Sequence, residues 1–155
     1  FLQKFDKSSI TKVRTMYLTL PIPPKVKETH FKIMNNIYPS KELLRLRFGI
    51  DDNTCTFCEN DIETTDHVFF SCSVVQTFWC DLHRWIKQQL SSFPTIISRD
   101  DITFGLILQS KADELCTNTI VCLAKFFIHK CRILKSSPKL VVFLNEFKLY
   151  IKSLK

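Results

Sequence analysis

Cys55-Thr56-Phe57-Cys58 is followed after eight residues by His67 and after four more by Cys72, a C-x2-C-x8-H-x4-C spacing. Residues 51–72 around it show no clean apolar period, so something other than a hydrophobic stripe must order them. A C-x2-C turn lets two thiolates reach one cation from a tight loop, and a distant pair supplies the other two corners of a tetrahedron. Three soft sulfurs and one imidazole suit zinc rather than magnesium or calcium. Four protein ligands close the shell against water and substrate, so the expected zinc is structural. His67 and Cys72 are about 140° apart on an ideal helix, so the helix carrying His67 must loosen before Cys72. Cys72 is then expected just before a helix capped by Ser73, where the N-terminus lowers the thiol pKa and favours the thiolate. Glu63 or Asp66 is a candidate acceptor for the second N–H of His67. Cys80 and His83, one helical turn apart, read as ordinary packing or surface residues, with rival ligands or part of a second site as the alternatives.

Outward from this segment the chain reads as helix. Ile10, Val13, Tyr17 and Leu20 recur at helical spacing behind Ser8 and Ser9 as caps, and Pro21-Ile22-Pro23-Pro24 stops them. Residues 26–36 offer Val26, Ile33 and Ile37, with Phe31 and Met34 beside them. Ser40 caps a short helix with Leu43, Leu44 and Leu46 on one side and Lys41, Arg45 and Arg47 on the other, stopped by Gly49. Ser73-Val74-Val75-Gln76 fits a capping box ahead of Val75, Trp79, Leu82 and Ile86, a helix reaching about Leu90. Residues 102–108 fit either a short strand or a helical turn. Residues 112–134 form a mostly buried central helix whose polar remainder is the stripe Lys111, Asn118, Lys125 and Arg132, one residue in seven. Leu115, Cys122 and Ile133 lie on one of its apolar faces and Leu134 on the other, while Cys116, Cys122 and Cys131 behave as small hydrophobes. Ser137-Pro138 opens a last helix that buries Leu140, Leu144, Phe147, Ile151 and Leu154. The expected fold is mainly α, with five or six helices and one zinc knuckle. Residues 1–92 would hold the knuckle (51–72), and 93–155 a C-terminal helical segment packed against them.

Composition narrows the function. The 155 residues contain 14 Phe and only 2 Gly, which argues against a Gly-rich phosphate loop and a dinucleotide fingerprint. Seven Cys without a signal peptide point to reduced thiols in an intracellular protein. No apolar run is long enough to span a bilayer. A start at Phe1 rather than Met suggests the end of a longer protein. The net charge of +7 is uneven: residues 1–54 hold ten basic and five acidic groups, 55–101 three and seven, and 102–155 nine and three. Basic ends favour a polyanion. Candidate phosphate contacts are Lys25, Lys27, Lys32, Lys41, Arg45, Arg47, Lys125 and Arg132, with solvated surface as the plain alternative for each. Phe57 could stack on a base or pack beneath the metal; four nearby carboxylates favour packing. A thiol enzyme is the weakest class, because His129 and Cys131 point to different sides of a helix.

The run His30-Phe31-Lys32-Ile33-Met34-Asn35-Asn36-Ile37-Tyr38-Pro39, then Cys55-x-Phe57-Cys58, Glu63-Thr64, Asp66-His67-Val68-Phe69-Phe70-x-Cys72 and Phe78-Trp79, resembles the zinc-binding C-terminal segment of non-LTR (LINE-type) retrotransposon reverse transcriptases. Ile128-His129-Lys130-Cys131-Arg132 and Leu149-Tyr150-Ile151-Lys152-Ser153-Leu154 are similar to the terminal stretch of fish-like elements. The resemblance implies a polyprotein with an upstream endonuclease and RNA-directed DNA polymerase, neither of whose catalytic motifs is in these residues. It places the zinc ligands on Cys55, Cys58, His67 and Cys72. The implied partners are element RNA or target DNA during target-primed reverse transcription and the upstream polymerase region, with no membrane and no small-molecule substrate. The competing expectation is a zinc-stabilised protein-interaction module docking on the polymerase core or another protein.

Overall fold

The computed structural model describes residues 7–154, which hold seven α-helices. They are α1 (Lys7–Thr15), continued by a 3-10 turn at Met16–Leu18, α2 (Pro24–Met34), α3 (Lys41–Phe48), α4 (Ser73–Gln89), α5 (Arg99–Phe104), α6 (Lys111–Ile133) and α7 (Leu140–Ser153). A single antiparallel bridge, Thr54 to Ile62, is the only extended pairing among the described residues. Six helices answer to the six sequence patterns; the seventh, α5, resolves the ambiguity at 102–108. Ser98 and Asp101 cap α5 reciprocally: the Asp101 N–H donates to Ser98 Oγ (3.1 Å) and the Ser98 N–H to the Asp101 carboxylate (2.8 Å). No helix among the described residues is long and apolar enough to cross a membrane.

The phenylalanines build the centre. Phe78 on α4, Phe127 on α6 and Phe143 on α7 are buried with ring centroids 5.6–5.8 Å apart, and the same core takes in Tyr38, Phe69 and Phe93. Aromatic pairs at these separations contribute beyond their buried area. A smaller cluster of Leu20, Ile22 and Val26 meets Cys122 where α2 lies on α6.

Several local expectations shift. α1 begins at Lys7, and the capping expected of Ser8 and Ser9 lies outside what the structure describes. Pro24 takes the first position of α2, where its missing N–H costs nothing. Ser40 does cap α3, accepting from the Leu43 N–H at 3.3 Å, and Gly49 closes it at φ 67°. The Leu side of α3 is not a core face, however: the helix buries none of its residues. Cys72, not Ser73, is the N-cap residue of α4, and no hydroxyl caps the helix. The last helix begins at Leu140 rather than Ser137-Pro138. Its register puts Phe143 in the core while Ile151 and Leu154 overhang into solvent. Leu115 and Cys116 near the start of α6, and Ile133 and Leu134 at its end, are exposed, whereas Cys122 and Cys131 are buried.

Asn118 and Lys125 of the polar stripe of α6 are buried and Arg132 is largely so, and together with Glu114 they clamp neighbouring backbone. Glu114 accepts from the Leu108 N–H (3.0 Å). The Asn118 amide accepts from the Leu106 N–H (2.8 Å) and donates to the Leu106 carbonyl (2.8 Å), as a neighbouring strand would. Lys125 donates to the carbonyls of Ile102 (2.7 Å) and Thr103 (3.3 Å), and Arg132 to that of Pro39 (3.1 Å). Residues 102–108 therefore run antiparallel to α6, stapled by its side chains at 125, 118 and 114. Gly105 is required there. At φ 122°, an added Cβ would sit 2.6 Å from Met16 Cε and 3.0 Å from Asn118 Oδ1.

Candidate metal centre

Two elements deliver the four ligands. The first is the hairpin 53–63, closed by Cys55 N–H to Asp61 O (2.8 Å) and Glu63 N–H to Asn53 O (2.7 Å), with Glu59 turning the chain at φ 56°. The second is the turn His67–Ser71. Thr64 starts it, its Oγ1 accepting from the His67 N–H (3.0 Å), and the turn then widens: the Cys72 N–H reaches His67 O, five residues back, at 2.9 Å. This i to i+5 bond is how the helix loosens. A π turn stacks residue 72 near residue 67, which an α-helix would hold about 140° apart. The core fixes the turn, since Trp79 Nε1 donates to Phe69 O (2.8 Å) and the Phe69 ring meets Tyr38 edge-on at 4.7 Å.

The ligand atoms of Cys55, Cys58, His67 and Cys72 lie within 4.8 Å of one another. Cys55 Sγ is 4.0 Å from Cys72 Sγ, and Cys58 Sγ is 3.3 Å from His67 Nε2. A zinc tetrahedron with Zn–S of about 2.3 Å and Zn–N of about 2.0 Å has edges of about 3.5–3.8 Å, so a separation of up to 4.8 Å must close by at most about 1 Å to meet it. The backbone also prepares for thiolate. The N–H groups of Phe57 and Cys58 serve Cys55, those of Asn60 and Asp61 serve Cys58, and those of Val74 and Val75 at the start of α4 serve Cys72. Burial opposes them. It pushes the Cys55 thiol up to about 12, and outweighs the α4 N-terminus so that Cys72 is raised, contrary to the lowering expected there. At Cys58 burial also pushes upward, but the N–H groups and His67 win and bring it down to about 6. Three sulfurs that the backbone invites to ionise, in a pocket too dry for three bare negative charges, suit a divalent cation.

Neither proposed acceptor for His67 serves it. Asp66 pairs with Arg99 and accepts from Ser71 Oγ. Glu63, 0% exposed, supports the opposite side of the site. Its Oε2 accepts from the Thr56 N–H (2.9 Å) and Oγ1 (2.6 Å), and its Oε1 from the Lys41 N–H (3.1 Å) and Arg132 Nε (2.8 Å). Burial raises this carboxyl, but Arg132 and Thr56 together hold it below the usual carboxylate range. Cys80 and His83 stay outside the cluster: they line a groove of about 630 Å³ beside α4, and His83 Nε2 donates to Pro94 O at 3.0 Å.

Two phosphate-contact candidates are corrected by burial. Lys125 is 0% exposed and its ammonium is spent on Ile102 O, Thr103 O and His30 Nδ1 (2.6 Å). Arg132 is largely buried and committed to Glu63, Tyr38 and Pro39. The sequence places both on a polar stripe, but carries no sign of the backbone groups that cover it. Phe57 is half-buried against the main core. Lys25 and Arg47 are exposed, while Lys27 donates to Leu18 O (2.7 Å) and Lys32 to Glu28 (2.6 Å). Lys41 pairs with Asp52 (2.8 Å) and Arg45 with Glu42 (2.8 Å), all at the surface or partly so.

A closed Cys3His cluster, seated between a hairpin and a π turn in a helical bundle, defines a domain stabilised by one structural zinc. Residues 2–79, half of the chain, match the family described as zinc-binding in reverse transcriptase, and the chain belongs to that family. No curated protein and no solved structure matches it.

Proposed function

We propose that this domain is the non-catalytic, zinc-ordered C-terminal part of a non-LTR (LINE-type), fish-like retrotransposon reverse transcriptase, and that it holds element RNA or target DNA during target-primed reverse transcription. The observation that carries the reading is α3. It buries none of its eight residues, so the core does not explain it. Yet it is fixed to the knuckle, with the Glu42 N–H donating to Glu63 O (3.1 Å) and the Lys41 N–H to the Glu63 carboxylate. A rigid, unburied helix that carries three basic residues suits phosphate. Lys41 and Arg45 sit in partly exposed ion pairs that are worth little in water and can be exchanged for phosphate oxygens, and Arg47 is exposed. Lys25, Lys27 and Lys32 on α2 extend the same charge. A salt titration of RNA and DNA binding tests this. Reversing Lys41, Arg45 and Arg47 to Glu should flatten the log-log slope by about 2 to 3, at about 0.7–0.9 per phosphate contact, with zinc content unchanged. An unaltered slope would remove α3 from the interface.

A second reading has its own observation. Leu46 and Phe48, at the free end of α3, are 67% and 72% exposed, which suits docking onto the polymerase core. Leu46→Ser with Phe48→Ser should then release the domain from the core while leaving the salt slope intact.

A further inference from the structure

We infer that Glu63 and Arg132 are positioning residues for the zinc site, acting on the Cys55–Cys58 turn from behind. Glu63 is wholly buried, a place where a carboxylate persists only if each oxygen is satisfied. One oxygen faces the metal loop. It takes the N–H and hydroxyl of Thr56, the residue between Cys55 and Phe57, and so sets the peptide from which the next two N–H groups aim at Cys55 Sγ. The other oxygen faces α6, where Arg132 approaches through Nε (2.8 Å) and Nη2 (2.6 Å). The guanidinium cannot swing away. Nη2 also donates to Pro39 O (3.1 Å), Nη1 lies 3.4 Å from the Tyr38 hydroxyl, and the group stands 5.4 Å from the centre of the Tyr38 ring. The hydroxyl in turn meets His129 Nδ1 at 2.7 Å. A chain of fixed groups thus runs from α6 to a peptide inside the zinc loop. Arg132 lies 53 positions beyond the last residue that matches the zinc-binding family, so the metal segment depends on a helix outside it.

The test uses the full chain and zinc itself, competed against a chromophoric chelator, with cobalt(II) absorption as a second readout. Arg132→Met should weaken zinc binding by about 10–100-fold, as loss of a group that orients a metal's ligands does, and should alter the tetrahedral cobalt bands. Glu63→Gln should weaken it too. The double variant should lose much less than the product of the two single losses, because both act through one contact. Phe143→Leu, a core change remote from the site, serves as a stability control and should keep affinity within about threefold even where its Tm falls as far. If Arg132→Met does not fold, the charge-neutral double variant is the reporter, expected to bind zinc at least about tenfold more weakly than the parent. Wild-type affinity and cobalt bands in the double variant, multiplicative losses, or an equal loss in Phe143→Leu would each overturn the proposal.

Discussion

Residues 53–63 and residues 102–108, the last turn of α5 and the extended chain after it, are both short stretches laid against helices, and they are held by opposite means. The first is gathered by donors that converge on an ion, with 17 residues separating Cys55 from Cys72. The second is stapled by Glu114, Asn118 and Lys125 of α6, which supply the hydrogen bonds that a partner strand would otherwise give. Order in the knuckle therefore hangs on something that can leave. Order in the 102–108 segment rests on side chains of the chain itself.

Zinc removal makes the largest difference between them. Structural zinc sites contribute about 10–16 kcal/mol of apparent binding free energy at neutral pH, far more than any single hydrogen bond. Metal analysis should find about one zinc per chain, as a four-ligand site requires. Cys72→Ser should lose it and Cys80→Ser keep it. Chelation should open the amides of 53–72 to hydrogen exchange while Leu106 and Leu108 stay protected. If both stretches open together, the two modes of support are not separable.

Asn118→Leu breaks the other side of the comparison. It strands the Leu106 N–H and carbonyl without touching the metal, so denaturant unfolding should show a loss of about 2–4 kcal/mol, from buried groups costing about 1–3 kcal/mol each. Zinc affinity of the folded chain should stay within about threefold. Gly105→Ala strikes the same staple through backbone strain and the clash with Met16 and Asn118. About 1–3 kcal/mol is expected from equilibrium unfolding.

The two stretches also differ in how far they can be read in advance. All four ligands were visible because metal binding restricts residue type and spacing at once, and the 500° of turn between His67 and Cys72 on an α-helix required the widening that the π turn supplies. Nothing comparable marks the staples. Asn118, Lys125 and Arg132 recur every seven residues and so declare a common face, but their partners are mostly main-chain groups, which look alike in every sequence. A lysine on such a stripe reads as solvated because burying an unpaired charge is costly. Here three acceptors make it tolerable, and one of them, His30, is 95 residues away. Glu63 was legible as a residue near the metal and illegible in direction, since Arg132 comes from the far end of the chain.

The smallest effect concerns the charge of Lys125. Burial pushes this ammonium down to about 8, against an ordinary value of 10.5. His30 on α2 is driven down to about 2, by burial first and then by Lys125, and stays neutral; the Cys122 thiol on α6 is raised by burial. Between pH 8 and 10.5 the unfolded chain therefore binds more protons at this residue than the folded one, and its contribution to stability rises with pH. Lys125→Met removes the titration along with the donors to Ile102 O and Thr103 O. The parent should exceed the variant in stability by a margin that grows by on the order of 1–2 kcal/mol from pH 8 to pH 9.5. Equilibrium unfolding of both zinc-loaded chains at the two pH values measures it, because the remaining groups titrate alike in each and largely cancel. A margin that stays flat or shrinks would mean that the ammonium keeps its proton in the fold, held by its three acceptors as firmly as water holds it outside.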